Sequence, residues 1–219
     1  MPVNTADTSK TKHMTNDSIT YLALGDSYTV GQAEPREQSY PYLLTDSLNS
    51  KGFKVYEPNV IATTGWTTDE LINGIALADI SGKTFGFVTL LIGVNDQYRQ
   101  LSLDSYSQKF TQVLHEAVGF AGGDATKVFV LSIPDWGVTP FANGQDDLIY
   151  PQIVAFNQVN QDICKSAGVN YLDVTAISRT AANDPTMIAP DGLHFSGKMY
   201  ALWVKMLEPM VVAQLKKSP

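Results

Sequence analysis

A serine placed directly after a buried apolar run is in a position to react. Leu22, Ala23 and Leu24 hand over abruptly to Gly25, Asp26 and Ser27. Such a strand end delivers a small hydroxyl and free backbone N–H groups to the carboxyl edge of a sheet, where open α/β folds bind ligands. At neutral pH a serine is a weak nucleophile and needs a base, usually a histidine that is itself oriented by a carboxylate. The chain has 3 histidines. His13 lies in a polar lead-in, and His115 lies mid-helix beside Leu114 and Glu116, where a surface or half-buried place is expected. His194 differs, because Pro190-Asp-Gly-Leu-His-Phe-Ser196 places Asp191 one turn before it. On a turn, that spacing lets the carboxylate reach Nδ1 while Nε2 points away, as a general base requires. Each piece also has an ordinary reading. Gly, Asp and Ser are common turn formers, and Asp-x-x-His also caps helices or makes surface pairs. Their combination in one chain is what points to nucleophilic catalysis.

The elements that must carry these residues follow from hydrophobic periodicity. Short apolar runs at 19–24, 87–92 and 127–133 read as strands, the first two of them buried, 169–174 reads as a fifth strand, and 54–62 reads as a strand that Pro58 assigns to a sheet edge. Between them, 39–50, 69–78, 103–120, 151–167 and 198–217 carry apolar residues at helical spacing, with Pro41 near one start, Gly168 closing another and Pro209 as a bend. The connection from Pro134 to Tyr150 lacks strong periodicity and is expected to be a surface loop forming one wall of a binding site. Segment 175–190 reads as a short helical piece with loop. Strands alternating with helices imply an α/β fold, a parallel sheet with helices on both faces. In such a sheet Ser27, Gly65, Asn95 and the Asp191 region are expected near the carboxyl ends of the strands.

The bulk numbers narrow the partners. With 219 residues and 44% hydrophobic content, one sizeable core is accounted for, so a lead-in at 1–18 and a single domain at 19–219 are expected. A formal charge of −7 argues against nucleic acid or an anionic membrane surface as the main partner. The single cysteine, Cys164, excludes an intrachain disulfide and a multi-cysteine metal site, and reads as a core thiol within a helix. No apolar stretch approaches the ~20 residues of a membrane-spanning helix, so no stable membrane insertion is expected. The polar lead-in is expected to be disordered and lacks the apolar segment of a signal peptide. It fits a native arm, the stub of a processed leader or an added segment. The expectation is therefore a soluble chain, cytoplasmic or exported.

Four segments, in order, carry a resemblance: Gly25-Asp-Ser-Tyr-Thr29, the isolated Gly65, Gly93-Val-Asn-Asp96 and Asp191-Gly-Leu-His194. Together they resemble the four blocks of the SGNH, or GDSL-type, hydrolase superfamily. The resemblance implies a three-layer α/β/α flavodoxin-like fold with a five-stranded parallel sheet, and esterase or acyl-hydrolase activity without metal or organic cofactor. It implies Ser27 as nucleophile, His194 as base and then acid, and Asp191 as its orienter. It also implies an oxyanion hole made by the backbone N–H groups of Ser27 and Gly65 and the side-chain amide of Asn95. Glycine lets a backbone approach the reacting carbonyl closely, and a neutral amide donor stabilises developing negative charge. Gly74 is a second, weaker candidate for the glycine position. Tyr28 stands where the family commonly has leucine or isoleucine, and Phe195 where it often has proline. Asp26 and Asp96 read as residues that fix their turns.

Tyr28, Trp66, Tyr98, Trp136 and Phe141 follow strand ends and are candidates to line a pocket, with packing under loops as the alternative. The implied partner is a small-molecule ester: a short acyl ester, a lysophospholipid or an acetylated sugar. The strict Gly-x-Ser-x-Gly elbow fails because Thr29 occupies the second glycine position, which disfavours an ordinary α/β-hydrolase. Two alternatives from other classes stay open: a metal-dependent phosphoesterase, which would want more histidines than His194 supplies, and a non-catalytic flavodoxin-like binding module.

Overall fold

The computed structural model describes residues 18–217, so the disorder expected of the lead-in, and His13 within it, lie outside the described residues. The chain runs β1 (Tyr21–Gly25), α1 (Ser27–Val30), α2 (Tyr40–Ser50), β2 (Asn59–Ala62), α3 (Thr68–Leu77), β3 (Phe87–Leu91) and α4 (Val94–Tyr98). It continues through α5 (Leu103–Phe120), β4 (Val128–Leu131), α6 (Asp146–Ala167), β5 (Asn170–Leu172), α7 (Thr175–Ser178) and α8 (Gly197–Leu215), with short 3₁₀ turns between.

All four strand pairs are parallel, and the sheet order is β2-β1-β3-β4-β5. Every residue of β1, β3 and β4 is buried. These are the strands that read as continuous apolar runs, because a parallel strand covered on both faces has no solvent side to alternate towards. β2 and β5 lie at the edges and are only partly covered. Pro58, just before β2, has no N–H for a ladder and shortens that strand to four residues.

Right-handed crossovers fix the layers. Stepping from β1 to β2 places α2 on one face, and the steps through β3, β4 and β5 place α3, α5 and α6 on the other. The packing agrees: α8 returns to lie against α2, while α5 packs between α3 and α6. Met199, Trp203, Leu207 and Val211 of α8 are buried at helical spacing, each removing apolar area worth roughly 1.5–3 kcal/mol from water. Cys164 is buried in α6, and burial pushes its thiol up to about 12, consistent with a packing role.

Two sequence expectations need correction. Segment 134–150 is not one irregular loop: it holds two 3₁₀ turns, and α6 starts at Asp146, so Pro151 lies inside the helix instead of opening it. Asp146 and Asp147 in the first turn favour that earlier start through the helix dipole. Gly93, which follows β3, caps α4, so the chain leaving that strand winds directly into the helix.

The order 2-1-3-4-5 has its switch point between β1 and β3, where the chain leaves β1 in one direction and β3 in the other. The crevice outside those carboxyl ends is the ligand-binding place of such sheets. Ser27 follows β1 and Asn95 follows β3.

Candidate active site

The nucleophile candidate is placed by a tight turn. Gly25 ends β1, and a Cβ there would collide with Thr29 Oγ1 and the carbonyl oxygen of Leu91, so only glycine lets α1 sit this close to the sheet. Asp26 caps α1, its Oδ1 accepting from Tyr28 N at 3.0 Å. The N–H of Ser27, at the first helical position, has no partner within the helix. Below α1, Thr29 Oγ1, Tyr40 OH and Thr89 Oγ1 form a buried chain at 3.4 and 3.1 Å that continues to Tyr21 OH at 2.8 Å. The turn therefore rests on a hydrogen-bonded floor that ties β1, β3 and α2 together.

Burial pushes the Asp26 carboxyl up to about 8; the hydrogen bond from Tyr28 N opposes this and the nearby Asp96 adds to it. Asp26 has its Oδ2 buried with no hydrogen-bond partner among the described residues. Its expected role in fixing the turn fits the Oδ1 cap.

The histidine arrives on a hairpin. Ile188 and Phe195 form an antiparallel bridge, Ala189 N donates to His194 O at 2.8 Å, and Ser196 N donates to Met187 O at 2.8 Å. Asp191 serves both the turn and the ring. Its Oδ1 accepts from Leu193 N and His194 N, each at 3.0 Å, while its Oδ2 lies 2.6 Å from His194 Nδ1. Burial works to raise the Asp191 carboxyl, but the bonds from the His194 ring and the two backbone N–H groups outweigh it and hold it below the ordinary value. An ionised acceptor on Nδ1 leaves Nε2 free to take a proton. Phe195, fully buried, anchors this hairpin into the core against Tyr28 and Trp203.

Asn95 lies in the first turn of α4, with its Nδ2 donating to Trp66 O at 2.9 Å. Gly65 has φ +87, a conformation glycine adopts without strain. Asp96 accepts from Thr68 N at 2.9 Å and Thr68 Oγ1 at 3.1 Å, tying the same loop to α4 as a turn-fixing residue should. Burial raises this carboxyl to about 6 against those two bonds.

One cavity of about 150 Å3 is lined by Ser27, Asn95 and His194 together with Tyr28, Val94, Tyr98, Trp136, Phe141 and Leu193. Four of the five aromatic candidates thus lie on its wall. Trp66 does not: its ring packs where a Cβ on Gly74 would stand, and only its backbone reaches Asn95. Gly74 lies within α3 and Gly65 in the loop before that helix, and neither glycine is among the residues lining the cavity. Tyr28 is 2% exposed and meets the His194 ring edge-on with centroids 5.6 Å apart, so it is packing as well as wall. His115 is exposed on α5, on a different element from the cavity.

Three contacts had no local sequence signal. Trp136 Nε1 donates to Gln97 Oε1 at 2.9 Å, and Gln97 Nε2 donates to Gln152 Oε1 at 2.7 Å, so a relay that runs from the exposed Gln152 of α6 through the buried Gln97 of α4 sets the indole. Arg99 NH2 donates to Gly65 O at 2.6 Å. Among the described residues, no group of three or more His, Cys, Asp or Glu side chains is placed to hold a metal ion, and no helix is long and apolar enough to cross a membrane.

A five-stranded parallel sheet of this order, with serine, asparagine and a histidine–aspartate pair at its switch point, is the architecture of the SGNH hydrolases. The family model of the GDSL-like lipases and acylhydrolases matches residues 23–202. The chain belongs to that family. Among solved structures, a lipase/acylhydrolase from Enterococcus faecalis superposes with a TM-score of 0.71 at 18% identity, covering 90% of this chain and 96% of that one. The acetylxylan esterase Axe2 from Geobacillus stearothermophilus gives 0.66 at 17% identity over 90% and 94%. The esterase EstA from a Pseudoalteromonas species gives 0.65 at 15% identity over 90% and 97%. At these identities the likeness is one of fold. No curated protein matches the chain.

Proposed function

We propose that this chain is a serine esterase that cleaves carboxylic esters of small, uncharged acyl groups through an acyl-enzyme on Ser27. The observation that carries the reading is that Ser27, Asn95 and His194 line one cavity while Asp191 holds His194 Nδ1 at 2.6 Å. In the first step the Ser27 Oγ attacks the ester carbon as its proton passes to His194 Nε2, and the carbonyl electron pair moves onto oxygen. That oxyanion is received by the N–H groups of Ser27 and Gly65 and by the second N–H of the Asn95 amide, the first being engaged by Trp66 O. Collapse breaks the bond to the alcohol oxygen, which takes the proton from Nε2 and leaves. Water then repeats the sequence on the acyl-enzyme, with His194 as base and then acid and Asp191 keeping the ring in the useful tautomer.

The wall supports the acyl preference. Val94, Tyr98, Trp136, Phe141 and Leu193 are apolar or aromatic, and none of the lining side chains except His194 can carry a positive charge. The cavity is small, about 150 Å3, which suits a short acyl chain. The partner is thus a small-molecule ester.

The test is a panel of chromogenic esters of graded acyl length with an acetylated sugar and a lysophospholipid alongside, together with mass spectrometry after an organophosphonate. Hydrolysis of short esters, a covalent adduct on Ser27 and loss of both in Ser27→Ala are expected. Absence of both hydrolysis and adduct in the wild-type protein would overturn the reading.

A further inference from the structure

The loop that carries Gly65 is gripped by α4 and its cap at three successive points. Arg99 donates to Gly65 O, Asn95 to Trp66 O, and Asp96 accepts from Thr68 N and Oγ1. Asn95 and Arg99 are four residues apart, so they share one face of the short helix and aim at consecutive carbonyls. The Gly65–Trp66 peptide is held at both ends, because its N–H donates to Thr63 O at 3.2 Å while its oxygen accepts from Arg99 at 2.6 Å. Holding that peptide restrains the φ/ψ pair of Gly65, whose φ is +87, and through it the direction of the Gly65 N–H on the preceding peptide. A residue with a Cβ would strain this conformation, so the orientation depends on glycine and on what holds its carbonyl.

Arg99 is itself held from the outer side. Its NH1 lies 3.3 Å from Glu70 Oε1, and the other Glu70 oxygen accepts from Thr67 N at 2.8 Å in the capping box that opens α3. Glu70, Arg99 and Gly65 O thus form a chain from the start of α3 to the loop. An exposed ion pair contributes little to stability, typically 0–1 kcal/mol, and the Arg99 and Glu70 side chains are 47% and 42% exposed. The pair is better placed to orient a backbone group than to stabilise the fold.

We infer that Arg99, braced by Glu70, is a positioning residue that sets the oxyanion-binding direction of the Gly65 N–H through its bond to the Gly65 carbonyl. This rests on the esterase reading above. Because the Gly65 donor acts on charge that develops in the transition state, loosening it should lower kcat and leave KM nearly unchanged.

The experiment compares wild-type protein, Arg99→Ala, Arg99→Lys and Glu70→Gln on a short-chain ester, with thermal melts of each. Arg99→Ala is expected to lose between about tenfold and about a hundredfold in kcat, the scale of a misplaced catalytic group. Arg99→Lys keeps a single donor and should lose less, and Glu70→Gln should fall between Arg99→Lys and wild type. Because Arg99 is half exposed, millimolar guanidinium added to Arg99→Ala should restore part of kcat. If wild-type protein is active and Arg99→Ala keeps its kcat within about twofold, the inference is wrong. It is equally wrong if the variant loses kcat only together with a lowered melting temperature and no guanidinium rescue, since that describes a purely structural role. Inactivity of the wild type on every ester, by contrast, removes the esterase reading itself.

Discussion

The side-chain amide of Asn95 donates to the carbonyl oxygen of Trp66 at 2.9 Å, so the residue proposed to receive the oxyanion is also one that holds the opposite loop in place. An amide has two N–H bonds, and one is spent on structure. This gives Asn95 a defined orientation before substrate arrives, which is how a preorganised donor avoids reorganisation at the moment of reaction.

Asn95→Ala should therefore lower kcat by roughly a hundredfold or more, the cost of one oxyanion donor, with a much smaller change in KM. The steady-state constants on a short-chain ester check this. A rise in KM at constant kcat would instead mark Asn95 as a ground-state contact.

Asp191 divides its work between its two oxygens: Oδ1 caps the turn and Oδ2 faces the imidazole. Asp191→Asn keeps an oxygen for the cap, so the fold should survive, but a nitrogen facing Nδ1 favours the wrong tautomer. The expected loss in kcat is roughly a thousandfold or more, with circular dichroism and melting temperature near wild type. Retention of more than about a tenth of kcat would show that the pair is not a catalytic one.

Much of this was legible in the sequence because the signals are local. The buried strands are apolar runs, α5 reads out at its full length from the spacing of Phe110, Val113, Leu114 and Ala117, and Gly-Asp-Ser and Asp-x-x-His bring their own turns. The start of α6 was hidden because Pro151 reads as an opening signal, whereas it is a residue inside the helix that cannot donate to the Asp147 carbonyl one turn before it. α4 is five residues long, too short for any periodicity to register. Gln97 and Arg99 escaped for a different reason. Their partners, Trp136 and Gly65, lie 39 and 34 residues away in sequence, and a polar side chain carries no mark of which distant carbonyl or indole it will meet. The ring of Trp66 illustrates the converse, since its place after a strand end suggested the cavity while the missing side chain at Gly74 drew it onto α3.

The indole of Trp136 forms a buried part of the cavity wall and is fixed by Gln97, which is fixed in turn by Gln152. Trp136→Ala should enlarge the cavity and shift the preferred acyl chain upward, raising kcat/KM for an octanoyl ester relative to a butyryl ester. Gln97→Leu should leave the indole N–H buried without a partner, costing about 1–3 kcal/mol of stability, and should relax the same ratio less strongly. If the ratio is unchanged in both variants, the wall does not select acyl length.

Asp26 gives a pH prediction whose sign can be worked out. Its folded-state carboxyl is raised to about 8, first by burial, against the hydrogen bond from Tyr28 N and with the help of Asp96, whereas an unfolded aspartate titrates near about 3.9. Between those values the folded chain holds a proton that the unfolded chain has released. The stability contributed by the neutral carboxyl is therefore fully present below about pH 4 and is lost as the pH rises through about 8. The slope is at most about 1.4 kcal/mol per pH unit. Asp26→Asn retains an oxygen to accept from Tyr28 N but has no proton to release. Melting temperatures of both proteins measured from pH 5 to 8 should therefore converge or cross in favour of the asparagine variant as the pH increases. Parallel curves across that interval would mean that Asp26 is ionised in the folded protein, with its Oδ2 charge satisfied by a partner such as buried water.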